Sequence, residues 1–238
     1  MHSLRRDGFA LVRSVLPERV AVEMAADVLT TLDAHSSARG VRRSHGRVYA
    51  ARNLGRLWPG ARRAEQLARA ATPLEDLLGG TARLVRAIYF DKPPGRSWSL
   101  PWHRDTMLAV GSPSNPAPGA QVFMRAGVPH IKGDFGVLSR MLTVRLHLDP
   151  ATEHNGALLV VPGSHESADD GRTTPATPPD GNTRIVSARL GDALLMRPLL
   201  LHKSNDSEPG SKQHRRILHL EFAAAHSPAP GFTWADPY

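Results

Sequence analysis

The chain has 238 residues, of which 41% are hydrophobic and 22% charged, with a formal net charge of +8 and no cysteine. That length and balance suit one globular domain. The missing cysteine excludes disulfides, zinc fingers, iron–sulfur clusters and thiol catalysis, so any metal must be held by His, Asp or Glu.

Asp7-Gly8-Phe9-Ala10-Leu11-Val12 reads as a short strand. Pro17 suits a first helical turn, and Val20, Met24, Val28 and Leu32 give the segment Glu18 to Leu32 a helical spacing. Residues 36–60 are rich in Arg, Gly and Ser and read as irregular. Ala61 to Leu78 reads as a second helix, stopped by Gly79-Gly80. From Arg83 short β-like runs dominate: Arg83–Asp91, Met141–Leu148, Ala157–Val161, Thr183–Val186, Asp192–Met196 and Arg216–Ala223. Turn residues such as Asn155-Gly156 and Pro179-Asp180-Gly181 separate them. The expected architecture is a helical prologue (1–80) followed by a β core (about 83–225), a barrel or sandwich buttressed by helices. Two stretches, 106–140 and 164–182, are long and poorly patterned. Long loops inside a domain are commonly functional, and 106–140 is the expected lid.

No apolar run approaches the roughly 18 to 20 residues that a membrane span needs. The opening Met1-His2-Ser3-Leu4-Arg5-Arg6 lacks the apolar stretch of a secretory signal. A cytoplasmic protein without a membrane partner is expected. The positive charge raises nucleic acid as a partner, but the arginines are spread along the chain, no nucleic-acid motif accompanies them, and aromatics are only 5%. A small anionic substrate, or simply a basic surface, fits as well.

Trp102-His103-Arg104-Asp105 is the strongest chemical signal. Residues two apart on a strand point to one side, so His103 and Asp105 can face one ion. A second histidine would complete two His and one carboxylate, a set that leaves sites open on iron(II). The pair alone is weak: this composition yields roughly 0.7 His-x-Asp pairs by chance, and His147-Leu148-Asp149 is a second one. Two features add context. Gly191-Asp192 launches an apolar run ending at His202, and Arg215 enters the strand Arg216–Phe222. Arginine's planar fork suits a carboxylate.

In order, the chain carries Asp7-Gly8-Phe9, Lys92-Pro93-Pro94 and Trp102-His103-Arg104-Asp105. It continues with Asn155-Gly156-Ala157-Leu158-Leu159-Val160-Val161-Pro162-Gly163-Ser164-His165, the run Gly191-Asp192 to His202, and Arg215. This ordered set resembles the phytanoyl-CoA dioxygenase family across nearly the whole chain. The resemblance implies a double-stranded β-helix (jelly-roll, cupin-like) core and dependence on iron(II), 2-oxoglutarate and oxygen. It implies that His103, Asp105 and His202 are ligands, that Arg215 rather than Arg216 holds the co-substrate's distal carboxylate, and that His165 is structural.

Arg145 stands where many relatives carry an aromatic, and shares a strand face with Thr143 and His147. That face is expected to line the co-substrate pocket, making Thr143 and Arg145 further candidates. The reaction implied is hydroxylation, or a related oxidation, of a small polar or anionic metabolite, with release of succinate and carbon dioxide. Asp105 occupies the position that related halogenases leave open for chloride. The Arg- and Ala-rich composition points to a bacterial source with GC-rich DNA, and the range of substrates in the family it resembles leads to an expected role in a biosynthetic pathway of secondary metabolism. Two alternatives stay open: a cupin-like metalloenzyme without 2-oxoglutarate, and a basic ligand- or nucleic-acid-binding module with a vestigial metal site.

Overall fold

A computed structural model describes residues 2–95, 97–111, 120–166, 182–224 and 226–238. The chain opens with α1 (His2–Asp7), β1 (Phe9–Val12) and α2 (Glu18–Ala34), then β2 (Val41–Ser44) and β3 (Arg47–Ala51). Three helices follow, α3 (Leu54–Leu57), α4 (Ala61–Ala71) and α5 (Leu74–Leu78), and then the long strand β4 (Arg83–Phe90). β5 (Leu100–His103), β6 (Met107–Ala109), β7 (Phe123–Arg125), β8 (Val128–Lys132) and α6 (Phe135–Leu138) lead to β9 (Met141–His147). The chain continues through β10 (Leu158–Val160), β11 (Arg184–Val186), β12 (Ala193–Met196), β13 (His202–Ser204) and β14 (Ile217–Ala223). Among the described residues, no helix is long and apolar enough to cross a membrane.

The strands form a seven-stranded sheet of order β1-β12-β9-β14-β4-β3-β2, a four-stranded sheet of order β11-β10-β13-β5, and a three-stranded sheet of order β6-β8-β7. Every pairing is antiparallel, as expected of the mostly β, jelly-roll core.

The large sheet has two chemically distinct faces, because side chains alternate along a strand. Leu142, Val144 and Leu146 of β9 and Leu218, Leu220 and Phe222 of β14 join one buried apolar cluster with Ala21, Met24, Val28 and Leu32 of α2. The helices therefore cover that face. The alternate positions, Thr143, Arg145 and His147 on β9 and His219 and Glu221 on β14, are buried as well but polar. They point away from the helices, and this polar inner face is what the site is built from.

Three expectations need correction. The second helix is broken: Thr72 is extended (φ −136°, ψ 132°) and α5 starts after Pro73, because proline disfavours helical backbone in the residue before it. Gly79 then ends α5 in the left-handed conformation (φ 70°). Residues 36–60 are not irregular but hold the β2–β3 hairpin, turned at His45-Gly46 with both φ positive (47° and 75°), the geometry of a tight two-residue hairpin. The stretch 106–140 likewise holds β6, β7, β8 and α6. Its residues 112–119, and 167–181 of the second long stretch, lie outside the described residues.

Candidate metal centre and active site

β13 and β5 are neighbours in the four-stranded sheet, with His202 and His103 as direct cross-strand partners. Their ring centroids are 4.2 Å apart. His202 does not end the strand that Asp192 launches, as the sequence suggested. β12 stops at Met196, the chain turns at 197–200, and His202 opens a strand in the other sheet. Asp105 lies two residues past His103, its amide bonded to the Pro198 carbonyl at 2.9 Å. Its carboxylate oxygens are 3.9 Å from His103 Nε2 and 3.8 Å from His202 Nε2. Among the described residues, His103, Asp105 and His202 are the group whose ligand atoms, all within 4.8 Å of one another, could hold a metal ion.

Local bonds fix the donor set. Nδ1 of His103 is 2.8 Å from the Pro101 carbonyl, and Nδ1 of His202 is 2.8 Å from the Leu200 carbonyl. A ring nitrogen facing a carbonyl carries the proton and donates it, so Nε2 is the lone-pair nitrogen in both rings. Burial pushes His202 down to about 3 against the pull of Asp105, so the ring is neutral near pH 7. Burial disfavours the Asp105 carboxylate, yet His202, His219, His103 and Arg86 outweigh that and hold the group below the usual carboxylate range. Its Oδ2 is buried without a hydrogen-bond partner. Two imidazole lone pairs and an orphaned carboxylate oxygen converging on one point fit a divalent cation of the non-haem iron type.

The inner face of the large sheet forms the facing wall. Arg145 Nη1 is 3.2 Å from His219 Nδ1, and His219 Nε2 is 3.0 Å from Glu221 Oε1. Arg86 also bonds Glu221, and His219 Nε2 is 4.0 Å from Asp105 Oδ2. Arg215 is only 2% exposed, and its side chain has no hydrogen-bond or ion-pair partner among the described residues. Burial, with Arg145 nearby, pushes Arg215 down to about 9, and burial pushes Arg145 down to about 10. Both remain cations at neutral pH. A cavity of about 650 Å³ is lined by His103, Asp105 and His202 together with Arg145, Arg215 and His219.

Arg216 faces the other way, in a two-pronged contact with Asp149 at 2.7 Å and 2.7 Å. This also removes the second His-x-Asp pair from contention. Asp149 is committed to Arg216, while His147 is buried alone with both ring nitrogens unpartnered. His165 accepts a structural role: Nε2 bonds the Arg5 carbonyl at 3.1 Å, and its ring fills the space where a Cβ on Gly8 would stand. Thr143 needs correction. It is fully buried on the expected face, but it does not line the cavity and its Oγ1 has no partner.

His219, Glu221 and Arg86 were not singled out from sequence, and Lys92 only as part of the Lys92-Pro93-Pro94 motif. The available signal was His219 and Glu221, polar at alternate positions of β14 among the apolar Leu218, Leu220 and Phe222.

Residues 4–216 match the phytanoyl-CoA dioxygenase family. The chain belongs to that family. Membership gives its enzyme class, the iron(II)- and 2-oxoglutarate-dependent oxygenases. Comparison with curated proteins finds no match. Among solved structures, EctD from S. alaskensis with 2-oxoglutarate and 5-hydroxyectoine superposes with a TM-score of 0.69 at 18% identity, over 99% of this chain and 82% of that one. The 2-oxoglutarate-dependent carbocyclase SnoK from nogalamycin biosynthesis gives 0.68 at 18% identity, over 97% and 85%. AviO1 from Streptomyces viridochromogenes Tue57 gives 0.63 at 24% identity, over 97% and 95%. At these identities the likeness establishes that this member of the phytanoyl-CoA dioxygenase family shares their fold.

Proposed function

We propose that this chain hydroxylates a small metabolite, with His103, Asp105 and His202 holding iron(II) and Arg215 receiving the distal carboxylate of 2-oxoglutarate. One observation carries the reading: the cavity that gathers the three ligand atoms also contains a fully buried guanidinium with no hydrogen-bond or ion-pair partner among the described residues. An unpaired buried cation costs several kcal/mol, roughly what a bound dicarboxylate would recover. Iron, when bound, activates oxygen and couples the decarboxylation of 2-oxoglutarate to oxidation of a substrate C–H bond.

The chain's own residues supply position and dryness. Arg215 offers two parallel donors to a carboxylate, and Arg145 adds a second cation on the same wall. Trp98 lies against Arg215, with the guanidinium carbon 6.0 Å from the ring centroid. Ile88, Phe90 and Leu158 give the cavity apolar surface that excludes water. Asp105 fills the third protein ligand position, which favours hydroxylation over halogenation. Met107 and Arg125 bring the 106–140 segment into the cavity wall, which supports its covering the substrate.

A small-molecule substrate from a biosynthetic pathway is supported by the neighbouring structures, one holding 5-hydroxyectoine and another acting in nogalamycin biosynthesis. The test is anaerobic calorimetry with 2-oxoglutarate. Stoichiometric binding that depends on prior iron(II) is expected. Equal binding with and without metal would contradict the proposal.

A further inference from the structure

The cavity has a second group of cations that the co-substrate does not use. Arg42 on β2, Arg52 just after β3 and Arg125 on β7 all line it. None of the three side chains has a hydrogen-bond or ion-pair partner among the described residues. Arg52 is half-buried, and its guanidinium is pulled below its ordinary range by burial and by Arg86 and Arg125, with Arg42 adding to the effect. The acid within reach, Glu221, is already committed to Arg86 and His219.

The arrangement is braced. Asn53 donates from Nδ2 to the Ala126 carbonyl at 3.1 Å, which ties the residue after Arg52 to the residue after Arg125. Both bracing residues hold left-handed backbone, at φ 55° and 53°. For alanine this costs about 1–2 kcal/mol. His130 stands behind the group, 1% exposed, with Nδ1 facing the Val128 carbonyl and Nε2 buried without a partner. Burial, with Arg86, Arg125 and Arg52 close by, pushes this imidazole down to about 4, so it adds no charge near pH 7.

Arg42 and Arg145 lie on well-separated strands: β2 and β9 have β3, β4 and β14 between them in the large sheet, roughly 19 Å along a sheet with strands about 4.8 Å apart. Arg52, just after β3, stands nearer the inner wall, beside Arg86. We propose that Arg52, Arg125 and Arg42 form an oxyanion subsite for the substrate, so that this enzyme takes a small molecule bearing a phosphate, sulfate or carboxylate group. The anion would anchor one end of the substrate while the remainder runs along Leu100 and Met107, which also line the cavity, toward the metal. The direction toward the metal rests on the proposed function; the anion subsite does not.

The test uses glycerol 3-phosphate and glycerate as probes, with glycerol as the neutral control, by calorimetry on the intact protein with and without saturating iron(II) and 2-oxoglutarate. At least one of the two anions is expected to bind, more weakly as salt rises, and to remain bound when 2-oxoglutarate saturates. The double variant Arg52→Gln/Arg125→Gln should weaken binding tenfold or more, with 2-oxoglutarate affinity changed less than twofold. Arg125→Gln alone, at an exposed position, should weaken it about threefold, and Arg63→Gln on α4 should not. Binding of neither anion, equal binding by the double variant, or displacement by 2-oxoglutarate would overturn the subsite. Arg52-dependent anion binding in a protein that takes up no 2-oxoglutarate would leave the subsite standing and remove the proposed function.

Discussion

Arg145 and His219 stand directly across from each other on β9 and β14, with Nη1 of the arginine 3.2 Å from Nδ1 of the imidazole. The arginine can only donate, so Nδ1 accepts and Nε2–H of His219 is left to donate to Glu221, 3.0 Å away. This chain of bonds joins Arg145 to the Arg86–Glu221 pair across the inner face of the sheet. His219→Leu breaks it in the middle and leaves buried polar groups unpaired, so it should cost about 1–3 kcal/mol of stability. Arg145→Leu and Glu221→Gln should couple through it by about 0.5–3 kcal/mol. Urea unfolding of the single and double variants measures both. Additive effects would mean that the three residues do not act as a unit.

Arg215 and Arg216 are adjacent and oppositely committed. Arg215→Leu should weaken 2-oxoglutarate binding by roughly thirty-fold or more, the equivalent of about 2–5 kcal/mol for a truncated buried charge pair, while iron affinity stays close to that of the wild type. Arg216→Leu should instead cost stability, because Asp149 loses its partner. Calorimetric titration of the two variants checks this, and the reverse pattern would shift the strand register by one.

Lys92 makes stability depend on pH. It is fully buried, with Nζ 3.3 Å from Ser204 Oγ and bonded to the Asn205 carbonyl. Burial, with Arg215 nearby, pushes it down to about 7. Between that value and the ordinary lysine range, the unfolded chain binds more protons than the folded one, so stability rises with pH. From pH 7 to 9 the slope should approach about 1.4 kcal/mol per pH unit at most. Lys92→Met should flatten it. Urea melts of the metal-free proteins at pH 7, 8 and 9 make the comparison, and equal slopes would assign the dependence to another group.

The parts of this molecule legible in the sequence were those with local signatures. Apolar spacing marked α2, and the β9 and β14 runs were visible from their alternation and turn residues. The candidate ligand set was legible because His103 and Asp105 are two residues apart and because the ordered motifs resemble one family, although β5 ends at His103 and Asp105 follows it. Short polar strands were not legible: β2 and β3 carry Arg42, Arg43 and Arg47, of which Arg42 lines the cavity, Arg43 pairs with Asp33 and Arg47 is exposed, so no hydrophobic period announces them. The inner-face network was missed because its meaning depends on pairing between strands distant in sequence. Glu221 reads as an ordinary strand residue until β4 brings Arg86 beside it. Thr143 was misjudged for a related reason: alternation gives the face, but not how far along the strand the cavity reaches.

The central claim is that His103, Asp105 and His202 hold the iron to which 2-oxoglutarate binds. Its most direct test is anaerobic reconstitution of the wild type, Asp105→Ala and Asp149→Ala with iron(II) and 2-oxoglutarate, measuring metal content and the weak visible absorption of the iron–2-oxoglutarate chelate. Removing one of three protein ligands should abolish the site, whereas a change outside the ligand set should leave it loaded. Stoichiometric iron and the absorption band in the wild type and Asp149→Ala, with neither in Asp105→Ala, is the result expected. Full iron occupancy in Asp105→Ala beside an empty Asp149→Ala would contradict it.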